Sequence, residues 1–128
     1  MRKRIATVVA LAAALAFGGT SAWAGTTNQN YSTAVASLGG YGYTAFQTKA
    51  ITGTAGYLGS GTVGGSYVVS ARTNSPSGVG TWTGYVVSDG TTHYLYSSLV
   101  KGADVRAQFR NRPQTTVQVQ VSGYWRSN

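Results

Sequence analysis

The sequence predicts an all-β domain: an antiparallel β-sandwich of seven or eight strands, Ig-like or jelly-roll-like, with a small barrel as the alternative. Three observations carry that expectation. Short runs alternate between apolar and polar residues, glycine and other turn formers separate them, and no stretch beyond residue 24 shows the period of an amphipathic helix.

Residues 1–24 read as a secretory signal peptide lying outside the fold. Arg2, Lys3 and Arg4 precede an apolar stretch over residues 5–17, and the small residues Ala22 and Ala24 fit a cleavage site after Ala24. The stretch is shorter than the ~20 residues that span a bilayer, and no later stretch in the mature chain could form a transmembrane segment. The mature protein is therefore expected to be secreted and extracellular. Residues 25–30 are polar and aperiodic, which predicts a flexible leader ahead of a single sandwich domain over residues 31–128.

Weak alternation permits a first strand over residues 31–38 and a second over 41–48, with Tyr43 and Phe46 as the bulk of the second. Gly53, Gly56, Gly59, Gly61, Gly64 and Gly65 then exclude a stable helix, leaving a short strand near residues 55–58 within loops. Glycine repeatedly adjoins tyrosine, as at Gly56-Tyr57 and Gly123-Tyr124, a pairing that suits aromatic rings covering glycines on neighbouring strands.

Residues 66–73 have strand composition, and Asn74, Ser75, Pro76, Ser77 and Gly78 form a turn. Asp89-Gly90 is the dipeptide favoured in type I′ turns, so residues 79–88 are expected to pair with residues 91–98. That register sets Val87 opposite Thr92, Val86 opposite His93 and Tyr85 opposite Tyr94. One face would then carry Trp82, Val86, His93 and Leu95 as core, while the other keeps Tyr85, Val87, Tyr94 and Tyr96 wet.

The cleanest alternation runs from Asp104 to Arg126. Val105, Ala107 and Phe109 alternate with Arg106, Gln108 and Arg110, and after a turn at residues 111–114 Val117, Val119 and Val121 alternate with Gln118 and Gln120. Read as a hairpin, it sets Phe109 opposite Val117, Ala107 opposite Val119 and Val105 opposite Val121. Trp82, Phe109 and Val119 are the expected core, with Trp125 closing one end. In this general respect the chain resembles small exported bacterial β-domains, with no motif that matches a named family residue by residue.

Composition narrows the function. The formal net charge is +8, and removal of Arg2, Lys3 and Arg4 leaves +5 on the mature chain, set against only Asp89 and Asp104. An exported basic protein meets anionic head groups, wall polymers and acidic polysaccharides before nucleic acid. Cysteine is absent, so no disulfide and no thiolate metal site can form. Asp89 in a turn, Asp104 at a strand start and the single imidazole of His93 make neither a carboxylate pair nor a triad, and they predict no catalytic residue, no metal and no cofactor.

Two binding surfaces remain. The first is basic and places Arg106, Arg110, Gln118, Gln120, Tyr124 and Arg126 on the outer face of the last hairpin, where guanidinium forks and amides suit phosphate, sulfate or carboxylate groups. The same arginines would also guard the aggregation-prone run 117–121. The second is an aromatic patch of Tyr85, Tyr94 and Tyr96, suited to a glycan or a protein partner. A non-catalytic secreted binding protein is the expectation. A bacteriocin-like toxin or enzyme inhibitor, and an extracellular matrix protein, are the alternatives; the oligomeric state is open.

Overall fold

The computed structural model describes residues 23–128. Within them the chain forms β1 (Trp23–Ala24), β2 (Gln29–Val35), β3 (Tyr41–Tyr43), β4 (Gln47–Thr48), β5 (Gly56–Val63), β6 (Val69–Ser75), β7 (Gly78–Val79), β8 (Thr92–Leu95), β9 (Asp104–Asn111) and β10 (Val119–Arg126). Two sheets pack face to face. The first has the order β1-β4-β9-β6-β7 with β3 also on β9, and the second has the order β2-β10-β5-β8. Pairing is antiparallel except between β1 and β4. The result is a β-sandwich, and neither sheet closes into a barrel. The expected signal segment falls outside the described residues apart from its last two, Trp23 and Ala24.

The chain changes sheet at almost every connection, and among the described residues the only consecutive strands that pair are β6 and β7. The final hairpin expected from the sequence is therefore not formed. β9 pairs with β3, β4 and β6, whereas β10 pairs with β2 and β5 in the opposite sheet. Alternation reports which residues face inward but not which strand lies alongside, and here two amphipathic strands face each other across the core. Val105, Ala107 and Phe109 are buried from one side, Val119, Val121 and Trp125 from the other, and the Tyr31 ring lies 5.1 Å from that of Phe109. Val117, placed in the core by the hairpin reading, precedes β10 and is exposed.

The second expected hairpin keeps its turn and loses its ladder. Gly90 has φ +68° and the Thr91 N–H donates to the Ser88 carbonyl at 3.4 Å. Beyond that turn the arms belong to different sheets. Residues 80–87 follow the edge of β6, with Gly80 N–H donating to Thr73 O and Thr83 N–H to Ala71 O, both at 2.9 Å, and Val69 and Val87 exchanging two bonds at 3.1 Å. β8 instead pairs with β5. Face parity does not carry across such a gap, so Leu95 and Val87 are both buried while Val86 is exposed, and Trp82 is half-buried rather than core.

Two further expectations are corrected. The glycine-rich run contains an eight-residue strand, β5, between β10 and β8. Glycine is needed there because a Cβ on Gly59 would overlap the Tyr124 ring that covers it, and one on Gly123 would strike the Gly59 carbonyl. Residues 25–30 are built into the fold instead of leading into it: Gln29 and Asn30 begin β2, Gln29 accepts from the Trp125 indole N–H at 3.0 Å, and the Gly25 carbonyl accepts from Asn128 N–H.

Buried polar side chains tie the sheets together at both ends. Gln47 donates from Nε2 to the Trp125 carbonyl at 3.0 Å and to Thr27 O at 3.3 Å, while its Oε1 accepts from Ser127 N–H at 2.9 Å. Lys49 sends its ammonium to the carbonyls of Thr54 at 2.7 Å and Ser127 at 3.1 Å, and burial lowers its pKa. At the other end Asn111 donates to Ala36 O and Val117 O, holding the corner between β9 and β10.

Candidate functional site

Because β9 is central in its sheet, its outward residues are flanked on both sides. Register places Arg72 of β6 opposite Gln108, Asn74 opposite Arg106, and Tyr43 and Tyr41 of β3 opposite Gln108 and Arg110. Gly42 sits between the two tyrosines, facing inward so close to the backbone of Ala34 that no side chain fits. Alternation thus directs both rings outward. Arg106 and Arg110 stand four residues apart, about 13 Å at the usual strand rise.

The arginines lie against aromatic faces. The Arg106 guanidinium carbon is 3.9 Å from the Tyr43 ring centre and 4.8 Å from that of Phe46. Arg72 and Arg110 both sit 4.3 Å from the Trp82 ring, which stacks on Tyr41 at 6.2 Å with a 10° tilt. Tyr85 adds a ring near Arg110 and Arg112. Amides take the inner nitrogens: Arg72 Nε donates to Gln108 Oε1 at 2.8 Å and Arg106 Nε to Asn74 Oδ1 at 2.9 Å. The Arg110 Nε is buried without a partner, and the terminal guanidinium nitrogens of these three arginines make no hydrogen bond among the described residues. Asp104, the only acidic residue of β9, begins the strand two residues from Arg106 and on the same alternating face.

A second aromatic row crosses the outer face of the other sheet. Tyr96, Tyr94, Tyr57 and Tyr124 follow one another with ring centres 6.4, 5.6 and 6.2 Å apart, and Arg126 lies 4.6 Å over Tyr57. No family model, curated protein or solved structure matches this chain. The reading of these surfaces therefore rests on their own chemistry.

The structure divides the residues that the sequence grouped. Arg106 and Arg110 share the first face. Gln120, Tyr124 and Arg126 lie on the second, and Gln118 is exposed in the segment before β10. Of the aromatic patch, Tyr94 and Tyr96 stay together, while Tyr85 belongs with the arginines and its hydroxyl donates to Asn111 O at 3.4 Å. Arg72, Trp82, Tyr41, Tyr43 and Tyr57 were not singled out by the sequence as site residues. The alternation Tyr41-Gly42-Tyr43 was a signal for two of them; Arg72 and Trp82 depend on a strand order that sequence spacing does not encode.

Asp89 and His93 have structural partners. Asp89 Oδ1 accepts from Val63 N–H at 2.6 Å, bracing the turn against β5. His93 Nε2 lies 2.8 Å from Thr91 Oγ1, and burial lowers the pKa of its ring. Among the described residues no cluster of acidic and imidazole groups could hold a metal ion, and no helix is long and apolar enough to cross a membrane.

Proposed function

We propose that this chain is a secreted, non-catalytic binding protein whose β9 face engages an anionic cell-envelope polymer. One observation carries the reading: Arg72, Arg106 and Arg110 are gathered on aromatic rings, their terminal nitrogens make no hydrogen bond among the described residues, and no acidic residue stands between them, Asp104 lying at the margin beside Arg106. Stacking fixes the guanidinium planes without consuming the donors that a sulfate, phosphate or carboxylate would accept. Little side-chain freedom is then left to lose on binding. Repeated charges on a polymer would relieve the repulsion between neighbouring guanidiniums, through contacts that are individually weak and jointly strong.

The test is retention of the exported chain on isolated cell walls, anionic liposomes and immobilised polyphosphate. The double change Arg106→Gln and Arg110→Gln should abolish most retention, and raised salt should do the same to the parent protein. It removes stacking worth ~0.5–1 kcal/mol per arginine, so the fold should persist. Retention that withstands both treatments would rule out this face and leave the tyrosine row as the binding surface, with neutral glycans as its ligands.

A further inference from the structure

The hairpin that fails to zip leaves a cleft. Its arms are pinned at the Ser88–Thr91 turn and again where Thr81 N–H donates to Tyr96 O at 3.0 Å; between those points one arm is drawn to β6 and the other to β5. The opening holds about 270 Å³ and is lined by Trp82, Thr83, Val86, His93, Tyr94 and Tyr96 among others. That is below the ~300–1,000 Å³ of a site for a drug-sized ligand, so the space suits a single ring with a way out at the surface.

The lining has the two-sided chemistry of a sugar. The exposed rings of Tyr94 and Tyr96 offer apolar faces to the axial C–H groups of a pyranose, while their hydroxyls and the His93 ring, whose Nε2 is held at Thr91, offer polar edges to its hydroxyls. Trp82 belongs to two surfaces at once. It lines the cleft and also lies against the guanidiniums of Arg72 and Arg110. At the other end Tyr94 and Tyr96 open onto the tyrosine row. A chain seated in the cleft is thus led towards the arginines.

We propose that the cleft seats one pyranose ring of an acidic polysaccharide whose neighbouring charged groups lie on the Arg72, Arg106 and Arg110 face. This deepens the proposed function and rests on it, narrowing the anionic polymer to one built of sugars. A single-stranded nucleic acid also combines rings with charge, but an exported basic chain meets acidic polysaccharides first, and the base is kept as an outcome of the test.

Titration of the exported chain with an alginate oligomer, a chitin oligomer, polyphosphate and oligo-dT separates the cases. Val86→Trp, at an exposed position, plugs the cleft, and Tyr96→Ala removes one exposed ring; thermal melting verifies that both variants fold. The alginate oligomer should bind most tightly, and each variant should weaken it ~10-fold or more while leaving polyphosphate binding unchanged. Arg106→Gln with Arg110→Gln should show the reverse for polyphosphate and leave the weak binding of the chitin oligomer intact. Alginate affinity unaltered in the folded Val86→Trp variant would overturn the cleft proposal while sparing the arginine face. Polyphosphate binding insensitive to the arginine changes would instead overturn the function on which it rests. Oligo-dT binding that is lost on plugging the cleft, with no glycan bound, would replace the sugar by a base.

Discussion

Replacing Gln47 by Leu tests whether the polar seam holds the two sheets together. The side chain is fully buried on β4 of the first sheet, and it reaches Trp125 and Ser127 at the end of β10 in the second. Leucine fills nearly the same volume but can neither donate nor accept. The Ser127 N–H loses its acceptor and the Trp125 carbonyl its side-chain donor, while Thr27 O stands near solvent and can turn to water. Two buried groups left unpaired at ~1–3 kcal/mol each give an expected loss of about 2–6 kcal/mol. That is a large share of the ~5–15 kcal/mol that stabilises a domain of this size. Urea unfolding should show a lower midpoint at unchanged slope, and the Ser127 amide should exchange its hydrogen faster. A loss within ~0.5 kcal/mol, the range of ordinary surface changes, would refute the reasoning: the seam would then be exchanging its bonds for water at no cost.

Phe109→Ala should cost ~3–5 kcal/mol and Val117→Ala less than ~0.5 kcal/mol by the same urea assay, although the two residues share one parity in the hairpin reading; equal effects would restore that hairpin. Burial raises the Tyr31 hydroxyl to about 12, and the nearby Ser60 hydroxyl offsets part of the shift without meeting hydrogen-bond geometry. The folded state therefore keeps a proton that the unfolded chain loses above pH 10. Stability is intact below that pH and falls as pH rises through 12, by about 2–3 kcal/mol, and this loss should be missing in Tyr31→Phe. Gly59→Ala should destabilise by ~1–3 kcal/mol because the new methyl displaces the Tyr124 ring; adding Tyr124→Ala should recover part of that cost, and no recovery would mean that the clash lies with backbone.

Features whose physics is local were legible in the sequence. Pro76 and Gly78 gave the turn that joins β6 to β7, and Asp89-Gly90 gave the reversal before β8. The alternation of Val105, Ala107 and Phe109, and of Val119, Val121 and Trp125, named buried residues correctly because it depends only on the pleat. It could not name their neighbours. Burial on one face is satisfied equally by a strand alongside or by a sheet opposite, and the choice is made by packing of the entire chain. The same limit divided the candidate site. Arg106 and Arg110 share a strand and could be grouped from spacing, whereas Arg126 and Tyr124 were joined to them only through the pairing that does not form. The strand β5 was underestimated because glycine propensity treats a missing side chain as a loss, while in the folded sheet the Tyr124 ring occupies that space.

The habit of crossing between layers bears on how the molecule is reached from the unfolded chain. A meander can nucleate at one tight reversal and add strands in order, but here almost every ladder joins segments separated by an intervening strand in the opposite layer. β10, distant in sequence from both of its neighbours, lies between β2 and β5, so these two have no shared partner until Val119–Arg126 arrive. Loop closure must come before any such contact can stabilise the chain, which places the folding rate in the slow, millisecond-to-second regime of β-sandwiches. A nascent molecule lacking β10 would hold two orphaned edges, and commitment to the native state waits on that strand.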